Sequence, residues 1–400
     1  MNRKLRVCYY GSYDWNEPHN STHILGMQQA GIEVIECNRP AAARRDAVQH
    51  YRSLWRTLAF AFTFIKNSFA LFASLWRLPD LDAIVVGYPG FFDVPLARLI
   101  SRRRGIPLLF NVHISLYETL VSDRGYFKAG SRIASLLKWY DRFLFRCATV
   151  VLTDTAAHAG YFARLYGLPR EKFQRVFIGA DPVYAPRPPR PQQPPGCTVL
   201  FYGTFIPLQG IEYIVQAAHL LRQHAGLRFE IIGRGQTQEQ VHALAERLAL
   251  PNLTFIDWVS REELVQRIAD ADICLGGQFG LTPKAGLVIG YKCFQMIAMG
   301  KAVIVSDSPG NRELLQHERD CLMCAPGNPE ALAAAILRLQ QDEALRRHLA
   351  QESRKTFEAH CSLRQIGEEL GKIATSARAA LAAPPAPRRT AAQPFVQQAG

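Results

Sequence analysis

Short apolar runs recur along this chain. Each is followed by a polar or glycine-containing break and then by a stretch whose apolar positions return every three to four residues. In the first half the runs are Leu5–Tyr10, Ile32–Glu36, Ala83–Gly87, Leu108–Val112, Thr149–Leu152 and Phe173–Ile178. Runs of four to six mostly β-branched, aromatic or aliphatic residues predict strands buried on both faces, as in a parallel sheet. Helices are predicted over His23–Ala30, Ile133–Arg146 and Ala156–Tyr166, with Gly31 and Gly167 placed to close two of them. Pro182–Cys197 holds seven prolines, which excludes a helix or a central strand and reads as a linker. The alternation then restarts, with strands at Val199–Tyr202, Phe229–Ile232, Leu253–Ile256, Asp272–Leu275 and Ala302–Ser306. Helices are predicted at Ile211–Gln223, Thr237–Leu248 and Pro329–Gln340, and Ser260 with Glu263 makes a capping box.

The pattern therefore predicts an α/β protein of two Rossmann-like β/α/β domains, 1–181 and 198–355, joined by a linker at 182–197 and facing each other across a cleft. A helix at Thr356–Thr375, within a segment 356–377, is expected to pack back toward the first domain. Arg378–Gly400 is rich in Ala and Pro and is expected to be disordered. Tyr51–Trp76 departs from the pattern: its apolar residues go almost round a helical wheel and seven of them are Phe or Trp. Two readings stand, a helix buried against the sheet and a helix lying in a membrane interface; the central Lys66 argues against a span.

Composition sharpens this only in part. Hydrophobic content of 48% and charged content of 20% over 400 residues fit globular domains with sizeable cores. The net charge of +13 favours an acidic partner: a phosphorylated substrate, an anionic membrane surface or nucleic acid. No aromatic-basic motif supports the last, so no nucleic acid is expected. Nine scattered cysteines suggest reduced thiols and a cytoplasmic location. The N-terminus reads as a strand and turn and not as a signal peptide. Cys321 and Cys324 have metal-like spacing without a second pair, so no metal site is expected. The basic run Arg98–Arg104 reads as a solvated helix end or as a contact for lipid headgroups.

Candidate chemistry lies where such sheets place ligands, beyond the carboxyl ends of the strands. Gly11 and His113 follow the first and fourth strands there. Gly290 precedes a short helix that carries Lys292 and Gln295 on one face near its N-terminus. A helix N-terminus with a lysine attracts an anion, and a nearby amide can read hydroxyls. Gly233-Arg-Gly235 lacks the third glycine of a dinucleotide fingerprint.

KCFQMIAMGKAVIVSDSPGNREL resembles the donor-binding segment of the GT-B glycosyltransferases of the large retaining family 4. FYGTFIPLQGIEYIVQAA and FIDWVSREELVQRIADADICL resemble other parts of that family's C-terminal domain, and VVLTDTAAHAGYFARLYGLPREKFQRVFIGAD resembles the end of its N-terminal domain. The resemblance implies a nucleotide diphosphate sugar as co-substrate, bound mainly by the C-terminal domain, a glycan or glycolipid acceptor on the other side, and no metal. It implies that Lys292 neutralises the diphosphate, that Gln295 stands where a Glu meets the ribose, and that Glu313 orders the adjacent turn or contacts donor. Gly203 and Thr204 would approach the phosphates through backbone N–H groups, Gly233 and Val259 would border the base, and Gly11 and His113 would face the sugar. Thr204 and Gln209 stand where many members carry Arg and Lys, and Leu287 and Gln295 occupy the two positions of the family's Glu-x7-Glu pair.

The expected activity is transfer of a hexose with retention, in polysaccharide or glycolipid biosynthesis, by a protein peripheral on the inner face of the cell membrane. Two alternatives stand beside it: a non-catalytic GT-B scaffold, suggested by the missing charges, and a nucleotide-sugar epimerase, against which no acid/base carboxylate cluster is visible in the sequence.

Overall fold

A computed structural model describes residues 3–39, 54–191 and 195–383, with side chains from 66 onward in the second segment. Two parallel six-stranded sheets form the frame. The first contains β1 (Arg6–Gly11), β2 (Glu33–Asn38), β3 (Ala83–Val86), β4 (Leu108–Asn111), β5 (Val150–Thr153) and β6 (Phe173–Arg175) in the order β2-β1-β3-β4-β5-β6. The second contains β7 (Cys197–Tyr202), β8 (Leu227–Ile232), β9 (Leu253–Ile256), β10 (Ile273–Gly277), β11 (Ala302–Ser306) and β12 (Leu322–Cys324) in the order β12-β11-β10-β7-β8-β9. Strand order reverses between β1 and β3 and again between β7 and β10, and such points leave a crevice at the strand ends. The apolar runs of β3, β4, β5, β10 and β11 are buried throughout because helices cover both faces.

One face of the first sheet is closed by the Leu54–Arg77 helix, whose Leu71 and Leu75 are buried with Cys8, Tyr10, Ile84 and Val86. Its Phe69 and Trp76 are exposed. Residues 51–53 of the aromatic stretch lie outside the described residues. Among the described residues no helix is long and apolar enough to cross a membrane. The basic run has a structural use that the sequence did not suggest. Arg104 donates to the carbonyls of Trp76 at 2.7 Å and Leu78 at 2.9 Å, satisfying the C-terminal end of that helix.

The other face is closed by the C-terminal helix Leu363–Ala382, whose Ile366, Leu370 and Ala374 pack with Val7, Tyr9, Val85 and Leu109. The helix expected at Thr356–Thr375 is two helices, Glu343–His360 and Leu363–Ala382, broken at Cys361. The first of them packs Leu349 and Phe357 into the second sheet's core, and the chain must turn there to reach the first sheet. Arg378–Ala382, expected as tail, continues that helix, and 384–400 lie outside the described residues. The chain thus passes between the halves twice, and the passages touch: Gly179 packs directly against Cys361 and Ile366. The proline-rich segment is anchored by Tyr184, buried with Phe177 and Ile178 in the core of the second half.

One element shifts for a long-range reason. The first helix spans Pro18–Gln29 rather than His23–Ala30. Its polar first turn is held because the Asn20 amide bonds Tyr9, Tyr88 and the Asp14 carbonyl, partners that a local pattern cannot show. Asn311–Glu313 forms a single 3-10 turn.

Candidate active site

The site is built where the order of the second sheet reverses. Gly203 follows β7, Gly277 ends β10, and Lys292 enters one residue into the Tyr291–Ala298 helix. Its ammonium lies 4.5 Å from the centre of the Phe201 ring and donates to Gln209 Oε1. The two glycines make room for it. A Cβ on Gly277 would stand 2.9 Å from Nζ and one on Gly203 3.1 Å from Cε. Lys292 is only 6% exposed, and no carboxylate among the described residues pairs with it. Burial pushes its pKa down to about 7. A buried cation without a counter-ion costs stability, and an anion arriving from outside relieves that cost.

That anion has a place to go. Lys292 borders a cavity of about 380 Å³, with Gly203, Thr204 and Gln295 on the same side. The opposite wall comes from the first half: His19, His113 and Asp154. Gln295 Oε1 accepts the Tyr202 hydroxyl at 2.8 Å. His113 is stacked on His19 with ring centres 3.6 Å apart, and neither of its ring nitrogens has a hydrogen-bond partner among the described residues. Burial first, and then the neighbouring His19, His23, His158 and Lys284, hold it well below the ordinary histidine range, so it stands as a neutral imidazole. A second cavity of about 750 Å³ shares Tyr202, Gly203 and Thr204 with the first. Ile232, Gly233, Trp258, Val259 and Leu264 line it beside the Arg234–Asp257 bridge of 3.0 Å.

Of the residues selected from sequence, His113, Lys292, Gln295, Gly203 and Thr204 meet in one cavity, and Gly233 and Val259 border its neighbour. Three expectations are corrected. The Gly203 N–H donates to the Ile232 carbonyl at 2.9 Å, so the sheet ladder uses it and no phosphate can, and Gly203 serves instead as space for Lys292. Gly11 faces Asp93, whose carboxylate accepts the Ser12 N–H at 2.8 Å, and it does not line the cavity. Glu313 turns away from the cavity toward the other half. Its two oxygens accept the N–H groups of Ala156 and Ala157, each at 2.7 Å, at the start of the Ala156–Tyr166 helix. The adjacent Thr155 hydroxyl donates to the Leu287 carbonyl, so this contact joins the halves beside the cavity.

A set of buried charges was missed. His158 lies between Asp154, 2.9 Å from Nδ1, and Glu118, 3.1 Å from Nε2. Lys284 reaches across from the second half to Glu118 at 3.1 Å. Burial alone would lower the His158 pKa, but the two carboxyl groups outweigh it and raise it to about 9, so the ring is charged at neutral pH. Burial would raise the pKa of Glu118, and Lys284 with His158 overcomes that and takes it to about 2. Asp154 follows β5, the same kind of position that singled out His113, and His158 is four residues on; that spacing was the legible signal. Among the described residues no group of three or more His, Cys, Asp or Glu side chains is arranged to hold a metal ion.

Residues 6–179 match the family described as a glycosyl transferase 4-like domain, and residues 196–342 match glycosyl transferases group 1. Alpha-D-kanosaminyltransferase of Streptomyces kanamyceticus is 24% identical over 285 residues, covering 69% of this chain and 72% of that protein. The amylovoran biosynthesis glycosyltransferase AmsK of Erwinia amylovora is 27% identical over 216 residues, covering 52% of this chain and 53% of that one. An uncharacterized glycosyltransferase of Methanocaldococcus jannaschii is 23% identical over 172 residues, and the match covers 43% of each chain. Among solved structures, sucrose-phosphate synthase from Thermosynechococcus elongatus superposes with a TM-score of 0.66 at 17% identity, covering 94% of this chain and 100% of that one. Anabaena HepE, solved in complex with UDP, superposes with a TM-score of 0.63 at 14% identity, covering 94% and 100%. At these identities the structures show a shared fold.

Proposed function

The chain belongs to the group 1 glycosyl transferases and has the GT-B fold, and from that premise we propose that it moves a hexose from a nucleoside diphosphate sugar to a hydroxyl acceptor. The observation that carries the reading is Lys292, a buried ammonium that has no carboxylate partner among the described residues and shares a cavity between the two halves with His113, whose ring nitrogens are likewise unpartnered among them. In this reading the base and ribose occupy the larger cavity beside Val259 and Gly233, and the diphosphate lies at Lys292. The bond between the anomeric carbon and the β-phosphate oxygen breaks, and the nucleoside diphosphate leaves with the electron pair. The acceptor oxygen bonds to the anomeric carbon on the same face, with retention, and its proton passes to the departing phosphate. Lys292 meets the charge that grows on the leaving group, and in a dry site such a contact is worth a few kcal/mol. In this reading the transfer needs no metal or other cofactor.

Incubation with UDP-, GDP- and dTDP-hexoses tests this. Release of nucleoside diphosphate that depends on an added glycan or glycolipid supports it. Interconversion of the sugar without acceptor would instead support an epimerase. Absence of both turnover and calorimetric binding would support a non-catalytic scaffold, the reading favoured by Leu287 and Gln295 in place of the family's two acidic residues.

We further propose that the acceptor is lipid-linked or membrane-proximal and that the first half rests on an anionic membrane surface, on its cytoplasmic side. The nine cysteines are all free thiols, as a reducing compartment keeps them. The Arg132–Cys147 helix carries an exposed stripe of Ile133, Leu136, Trp139 and Phe143 at helical spacing, with Arg142 and Arg146 beside it. Changing Leu136 and Trp139 together to Ser is expected to reduce co-sedimentation with anionic vesicles by at least about tenfold, because each apolar side chain contributes roughly 1.5–3 kcal/mol when fully buried. Parent protein that stays in the supernatant with anionic vesicles at low salt would remove this part of the proposal.

A further inference from the structure

The cavity has a polarity that neither the diphosphate nor His113 uses. Its second-half wall offers the Lys292 cation; its first-half wall offers the Asp154 carboxyl group, 3% exposed. Among the described residues Asp154 makes a single hydrogen bond, from His158. A carboxylate has lone pairs for several donors, and this one lines the cavity with one donor already in place. Sugar hydroxyls are donors of the right kind for this wall. The two walls therefore orient a molecule that is anionic at one end and neutral and hydroxylated at the other.

We propose that Asp154 holds hydroxyls of the transferred hexose and that His158, Glu118 and Lys284 position it; this rests on reading the cavity as the donor site. The support is specific in geometry. His158 takes one Asp154 oxygen at 2.9 Å and is itself fixed from behind by Glu118 at 3.1 Å. Two carboxyl groups are set against two cations, so the cluster needs no further counter-ion. Lys284 comes from the second half, on the Pro283–Gly286 turn, so the chain that fixes Asp154 is complete only when the halves face each other. Asp154 touches the sugar; the other three act through it.

The test uses the full chain with UDP, GDP and dTDP and with the corresponding hexose donors. Asp154→Asn keeps the shape and an acceptor for His158. It is expected to lower kcat/KM for the preferred donor by about 10- to 100-fold, the weight of hydrogen bonds to a charged group, and to blunt the preference between hexose epimers. Its affinity for the bare nucleoside diphosphate should stay within about twofold of the parent, since that end sits at Lys292. Lys284→Met should lower kcat more than it weakens nucleoside diphosphate binding, and Lys284→Arg should restore kcat. An Asp154→Asn protein with parental turnover and epimer preference would overturn the proposal, as would one that loses the bare nucleoside diphosphate as strongly as the donor. If donor binds without turnover, the affinity gained from the hexose is compared between parent and variant, and an unchanged gain also overturns it. Parent protein that binds none of the donors fails the underlying reading, a result distinct from these.

Discussion

Lys292→Met is expected to lower transfer by about 100- to 1,000-fold and to abolish the pH dependence of nucleoside diphosphate binding. The variant keeps the length and burial of the side chain between Gly203, Gly277 and Phe201, so the loss reports the charge. In the free protein burial pushes the ammonium's pKa down to about 7, so it titrates near neutral pH. A bound diphosphate favours the charged form and raises that pKa. Above pH 7, binding therefore takes up a proton, and affinity falls as pH rises, by up to about tenfold per unit; below pH 7 the free site is already charged and the dependence flattens. Cys293 is pushed up to about 12 and His113 well below its usual range, so neither titrates in the window from pH 7 to about 8.5. His158, at about 9, sets the upper limit. Calorimetric titration of UDP, GDP and dTDP across that window checks the prediction. A parent whose affinity is flat there, or a variant that binds and turns over like the parent, contradicts it.

Gly367→Val should loosen the C-terminal helix from the first half and cost about 3 kcal/mol, the upper end of the usual penalty for overpacking. The Leu363–Ala382 helix crosses the Pro18–Gln29 helix backbone to backbone at Gly367 and Gly26. A Cβ on Gly26 would stand 2.6 Å from the Leu363 carbonyl, and one on Gly367 would overlap the Gly26 carbonyl. Neither neighbour is a flexible side-chain end, so the helices must part and uncover Val7, Tyr9 and Val85. For a domain of this size the loss corresponds to a fall in Tm of roughly 6–12 °C. Gly371→Ala is the control. Its new methyl meets the Ile32 Cδ1 at 3.1 Å, which can turn aside, and stability should stay within about 1 kcal/mol. Equal melting of the parent and Gly367→Val would refute the close crossing.

Much of this architecture is legible in the chain because it rests on short-range rules. Buried parallel strands read as continuous apolar runs, and β3, β4, β5, β10 and β11 all do. His113 and Lys292 could be picked out because a strand's carboxyl end and a helix's N-terminus mark a crevice without knowledge of the partner. What was not legible depends on pairs far apart in sequence. Glu118 and Lys284 are 166 positions apart by their numbers, and nothing near either residue announces the other. Glu313 sits in a turn that resembles a donor-side element, but its carboxylate is claimed by two N–H groups in the other half. The break at Cys361 carries no glycine or proline, so local propensity runs through it, and only the need to cover two different sheets divides the helix.

The two side-by-side passages of the chain at Gly179 and Cys361 have a mechanical consequence. A pair of tethers lying together leaves the halves free to swing about one line and restrains them from sliding or twisting apart. On the proposed reading, donor entry and product exit are expected to be the opening and shutting of a single jaw, with the Glu313 and Lys284 contacts lying between its two sides.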